Sequence, residues 1–273
     1  MSVWRVPTDD DLKVLEGVVD STYDVEDPEW EGTIWRGDDA GAALAGSSSL
    51  WLEGNLKTHA SFDASKINLV PNGSRGGMTG SFVNLGETCR LWTNTVTYIP
   101  TQVWYRAINY ERTDIFRDGL VWDPTVYGSK GFNFGFAVRL VRDDSSEHPD
   151  GTVYPEEYEG NDGKKYDAVK AGPFLILTAN LDETKTNAGF DIPEIESNSD
   201  WSDETLGAAR CYYNNDPNNS EFYGSLYNWW ALENIVNLPT SIVYVKIDGE
   251  AIGCPVYVNQ GGVAVPANVH INE

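Results

Sequence analysis

Between residues 60 and 142 the chain is cut into short segments by Gly, Asn, Ser and Thr, and this punctuation limits what it can fold into. RLWTNTVTYI (90–99), TQVWYRAINY (101–110) and FNFGFAVRLV (132–141) are short, aromatic and β-branched, as strands are. The last two suit a hairpin-like pair with a long connection, about 111–130. Loops of that kind carry binding residues on a rigid scaffold. Strand character returns at 173–181, PFLILTANL. After Pro239 the chain reads as short β segments, with hairpin turns at Asp248-Gly249 and Gly261-Gly262.

Helical signals are few. Thr8 is a natural N-cap, Asp9, Asp10 and Asp11 suit the positive end of a helix dipole, and Leu12, Leu15, Val18 and Val19 form an apolar stripe. This spacing predicts a helix over 8–20. A second, over 38–46, would be capped by Asp38 or Asp39 and stopped by Gly46. The fold class is therefore α+β. Residues 143–167 are acidic and turn-rich and read as an exposed linker or insertion.

Asp and Glu outnumber Lys and Arg by 42 to 19, a formal net charge of −23, which repels nucleic acid and anionic membrane. No apolar run approaches the 18 or so residues of a membrane span. The first residues, MSVWRVPTDDD, lack the basic and apolar regions of a signal peptide. Three cysteines, at 89, 211 and 254, have no paired spacing, so neither a disulfide framework nor a zinc site is expected. The three histidines, at 59, 148 and 270, sit in no metal or nucleophile motif. No metal and no cofactor is expected, and no enzyme. The adjacent carboxylates Asp38/Asp39 and Glu156/Glu157 read as solvated.

Several segments are similar to one family. VWRVPTDDDLKVL (3–15), INLVPNGSRGGMTGSFVNLGETCRLWTNT (67–95), VWYRAINYERTDIFRDG (103–119) and GFNFGFAVRLVRD (131–143) resemble the second half of the Fibrobacter succinogenes major paralogous domain. LILTANLDE (175–183) and CYYNNDPNNSEFYGSLYNWWAL (211–232) resemble its first half. The resemblance implies a C-type lectin-like fold, the fold also of formylglycine-generating enzymes and phage tropism determinants. The family's second half comes first here. That order implies a circularly permuted domain over 1–235, with 143–172 as the connecting loop and a β-hairpin extension over 236–273. Termini that lie close together make such rewiring tolerable. Two incomplete copies in tandem are the rival reading.

On the resemblance, Tyr223, Gly224, Tyr227, Trp229 and Trp230 fill the core beneath the loops, and the Asn-rich 214–219 forms a side-chain-bonded turn. The tripeptides of the calcium-dependent lectins are missing. What remains is a display surface in 92–127, with Tyr98, Trp104, Arg106, Asn109, Tyr110, Arg112, Asp114, Arg117, Trp122 and Tyr127 as candidate ligand-binding residues. The lectin-like resemblance, the lack of a visible signal peptide and a tail of short hairpins suited to packing on neighbours together point to a non-enzymatic phage virion protein, a fibre, tail or capsid-decoration component made in the host cytoplasm. Its expected partners are a host-surface glycan or protein and, through 239–273, other virion subunits or further copies of itself. A bacterial cell-surface adhesin or carbohydrate-binding protein is the alternative.

Overall fold

A computed structural model describes residues 3–98, 102–120, 130–203, 206–235, 243–247 and 250–254. The first helix, α1 (Asp9–Val19), starts where its cap predicts. The Thr8 hydroxyl accepts from the Asp11 amide at 3.0 Å, and the Asp11 carboxylate accepts from the Thr8 amide at 2.8 Å. Leu12 and Leu15 enter the core as expected. The helix also buries an acidic pair, Asp9 and Glu16, seven residues apart and so on one face.

That pair faces a four-stranded antiparallel sheet ordered β1 (Ile34–Arg36), β6 (Ile115–Gly119), β5 (Val103–Asn109), β4 (Thr88–Val96). Arg106 of β5 and Arg117 of β6 stand directly opposite each other, an arrangement that repels unless a counter-ion lies between them. Asp9 is that counter-ion. It accepts from Arg106 at 2.8 Å and from Arg117 at 2.9 and 2.6 Å, while Glu16 accepts from Arg106 at 2.5 Å and from Arg36 of β1. The Arg117 guanidinium lies 3.8 Å from the ring centroid of Trp104.

The hairpin partner of β5 is therefore β6, inside the stretch expected to be a long loop. IFRDG alternates burial as a strand does, but Arg117 occupies an inward position and masks the pattern. FNFGFAVRLV does not pair with β5. Gly135, Phe136 and Ala137 instead bridge Arg75, Tyr227 and Leu91, so the segment stitches separate elements together. Residues 121–129, the rest of the expected loop, lie outside the described residues.

The second antiparallel sheet is ordered β7 (Val141–Asp143), β10 (Phe174–Leu177), β9 (Lys165–Ala171), β8 (Val153–Glu159). Phe174 pairs with Asp143 and Ile176 with Val141, the antiparallel neighbours that the inverted segment order predicts. Residues 143–172 are no exposed loop, however, because they contain the β8–β9 hairpin. Tyr166 and the run 168–171 are buried, and the charged turns on either side concealed that strand from composition.

The aromatic segment behaves as core. Tyr227 lies in β12 (Leu226–Tyr227), paired with β11 (Arg210–Cys211), and Trp229 opens the helix Trp229–Ile235; both rings are buried. Tyr223 and Trp230 are half-buried. The Asn-rich lead-in is a pair of 3-10 turns in which Asp216 accepts from the Asn218 amide at 3.0 Å and Asn219 Nδ2 donates to the Tyr213 carbonyl at 2.8 Å. Beyond it, β13 (Val243–Ile247) and β14 (Glu250–Cys254) pair antiparallel; residues 248–249, the expected turn, lie outside the described residues, and the returning strand takes in Glu250 and Ala251, which the sequence placed in the turn. The second expected hairpin lies outside the described residues.

Candidate functional site

The candidate residues divide among three places. Arg106 and Arg117 are in the interior, 1 % and 4 % exposed, and they are corrected here from display residues to structural ones. Alternation puts them on the inner face, where α1 supplies the charges that make burial tolerable. Burial alone would raise the Asp9 carboxyl, but Arg117 and Arg106 outweigh it and hold the group well below the usual carboxylate range. Tyr98, 88 % exposed, and Trp104 are at the end of the sheet where Val96 pairs with Val103. Asn109, Tyr110, Arg112 and Asp114 are together at the opposite end, in the β5–β6 turn. Trp122 and Tyr127 lie outside the described residues.

The β5–β6 turn is fixed by its own chemistry. Asn109 Oδ1 accepts from the Glu111 amide at 2.9 Å, and the Arg112 amide donates to the Asn109 carbonyl at 3.0 Å. Two helices clamp it. The first residue of α3 (Asn55–Thr58) is preceded by Gly54, where a Cβ would meet the Tyr110 carbonyl oxygen at 2.2 Å. Only glycine permits that approach, and it lets the amide of the buried Leu56 donate to the same carbonyl at 3.0 Å. On the other side, the Ala42 amide of α2 (Ala40–Leu44) donates to the Thr113 carbonyl at 2.9 Å.

The N-terminus of α2 is not capped as the sequence suggests, and the helix ends at Ala45 rather than Gly46. Asp20 caps it from a distance, its Oδ2 accepting from the amides of Asp38, Asp39 and Ala40 at 2.8, 3.1 and 3.0 Å. The Asp39 carboxylate is thereby released to accept from the Ser21 amide at 2.8 Å and from the Ser61 hydroxyl. Burial would raise Asp39, but these two donors hold it below its ordinary value. Ser61, Asp39 and His59 do not form a nucleophilic triad. The serine hydroxyl serves the carboxylate directly, and His59 Nδ1 accepts from the Ser61 amide at 3.3 Å.

Between the turn, α3 and β1 runs an open groove with two adjoining lobes of about 560 and 480 Å³. Asn55, Glu111 and Arg112 line both lobes; Asp38, Thr58 and His59 belong to the larger, Trp35 and Asn109 to the smaller. Arg112 lies over the Trp35 ring, 4.6 Å from its centroid, and grips Asp114 through Nε at 2.8 Å and Nη2 at 2.6 Å. The hydrogen bond to Asp114 raises the Arg112 pKa further. Asn55 Nδ2 donates to the Glu111 carbonyl at 3.0 Å. Asn109 Nδ2, Asn55 Oδ1 and Arg112 Nη1, on residues that line the groove, make no hydrogen bond among the described residues.

Sequence reasoning found the turn residues and missed Trp35, Asp38, Asn55 and His59 as their neighbours. These come from segments more than 50 positions from the turn, and no local spacing joins them. Asp38 was legible only as a helix cap or as one of a solvated carboxylate pair.

Elsewhere the polar interior is structural. Arg139 gives its donors to Asn180 Oδ1 and the carbonyls of Ile67, Leu177 and Asn68, and burial pushes it down to about 9. Cys89 and Cys211 are buried free thiols raised by burial to about 12 and about 11, out of the range of reactive thiolates. Among the described residues no group of three His, Cys, Asp or Glu could hold a metal ion, and no helix is long and apolar enough to cross a membrane. No protein-family model, curated protein or solved structure matches the chain.

Proposed function

We propose that the chain is a non-enzymatic binding protein on a circularly permuted C-type lectin-like domain, serving in a phage virion as a host-binding component. The observation that carries the binding role is the two-lobed groove. Amide and guanidinium groups of a clamped turn and of α3 lie beside the Trp35 indole of β1, and such polar groups can orient a small polar ligand such as a glycan.

The permutation has two supports. Strands β7 and β10, the ends of the unpermuted order, are antiparallel neighbours. The ends of the 3–235 stretch also both pack on the β8–β9 hairpin: the Trp4 ring lies 5.5 Å from that of Tyr158, and Asn161 Nδ2 donates to the Ile235 carbonyl at 2.9 Å. Both contacts fall at one end of the β8–β9 hairpin, so the proposed cut between helix Trp229–Ile235 and Trp4 spans a short gap.

A glycan array on the full chain tests the groove. Binding is expected with and without chelator, and Asn109→Ala with Arg112→Ala should weaken it at least tenfold, about 1.4 kcal/mol. Chelator-sensitive binding, or binding untouched by the double variant, would move the site elsewhere.

The virion assignment is carried by the tail. A two-stranded hairpin such as β13–β14 is marginal in water, and strand addition to a neighbouring subunit would cover it. Deleting 239–273 is expected to leave a folded domain that no longer enters particles. A truncated chain that fails to fold would assign the tail to the core instead.

A further inference from the structure

The groove holds two carboxylates that no cation neutralises. Asp38 Oδ2 accepts from Thr22 Oγ1 at 2.8 Å, and Glu111 Oε1 accepts from the Tyr110 hydroxyl at 3.1 Å; neither forms an ion pair among the described residues. The third carboxylate, Asp114, already holds the Arg112 guanidinium through two of its three nitrogens. The walls therefore carry two uncompensated negative charges, in a chain whose formal charge is −23. Such a concavity concentrates cations and repels anions.

The remaining free groups are mixed in kind. Asn109 Nδ2 and Arg112 Nη1 donate, and Asn55 Oδ1 accepts. A ligand hydroxyl is both donor and acceptor and satisfies either sort. A lysine ammonium, with donors only and an apolar stem, would match the carboxylates and leave the amide and guanidinium donors unmet.

We propose that the groove recognises a glycan bearing free, protonated amino groups, in preference to acetylated or acidic sugars. The proposal rests on the reading of the groove as a glycan site and adds its charge selectivity. Glu111 lines both lobes and Asp38 the larger one, so the ammonium belongs in the larger lobe, between them. The hydroxyls of the adjoining unit fall to Asn109 and Arg112 in the smaller lobe. Arg112 lies over Trp35 and is paired with Asp114, so it can donate without attracting an anion.

Calorimetric titration of the full chain tests this with four ligands of matched length: a glucosamine oligosaccharide, its N-acetylated form, a uronic acid oligosaccharide and oligolysine. The amino form is expected to bind at least tenfold more tightly than the acetylated form, and the uronic acid not at all. Asp38→Asn with Glu111→Gln should reduce the preference for the amino form over the acetylated form to within about twofold. Both side chains are exposed, so the variant is expected to keep the native melting temperature. Equal affinity of the wild type for the two forms would overturn the charge selectivity and leave the glycan groove standing. Oligolysine binding as tightly as the amino sugar would make the ligand a basic peptide. Failure of every sugar to bind would overturn the glycan site itself.

Discussion

Asp9→Ala is expected to destabilise the protein by about 3–5 kcal/mol, the usual cost of removing one partner from a buried ion pair. The carboxylate stands between two opposed guanidiniums, and without it Arg106 and Arg117 face each other across the ladder. The neighbouring Asp10→Ala should change stability by no more than about 0.5 kcal/mol, because that carboxylate is almost fully in water. Urea unfolding of the two variants makes the comparison. A loss below about 1 kcal/mol for Asp9→Ala would show that Glu16 alone can hold the arginines.

The same group predicts a pH dependence. The folded-state pKa of Asp9 is depressed, so its contribution is fully present above the unfolded value of about 3.9. It is lost as pH falls through the lower, folded-state value. The wild type should therefore lose stability below about pH 4, and Asp9→Asn should show a shallower slope there.

Trp229→Ala is expected to cost about 3–5 kcal/mol, a large part of the 5–15 kcal/mol typical of a domain. Its ring is 1 % exposed and packs against Phe132 with centroids 5.0 Å apart. The indole nitrogen is buried without a hydrogen-bond partner among the described residues, so Trp229→Phe removes an unsatisfied donor along with some volume. Phenylalanine should cost less than half as much as alanine. Thermal melts and glycan binding, measured on the same samples, separate the alternatives. A variant that keeps its melting temperature but loses binding would make the aromatic segment part of a site.

Elements governed by neighbours in sequence were legible. The α1 cap and the Asn-rich turn each depend on contacts within a few residues, and each was read correctly. Strand β6 was not, because an inward Arg117 breaks the apolar alternation that marks a strand. The β8–β9 hairpin escaped for a related reason. Its outer strand is mostly exposed and charged, so composition resembles that of a loop.

The sequence by itself determined where the chain turns, where its first helix begins and which aromatic segment is core, since capping, periodicity and turn chemistry act locally. Only the tertiary structure decided which charged residues are inside. Arg106 and Arg117 are buried because Asp9, 97 and 108 positions away, neutralises them; without that partner the same alternation would have to place them in water. The groove depends on the same kind of long-range choice. Asn109 and Arg112 become lining residues when Gly54 lets α3 close on their turn, bringing Asn55 beside them while β1 supplies Trp35. Pairings across such separations follow from how sheets and helices stack, and no local pattern in the chain encodes them.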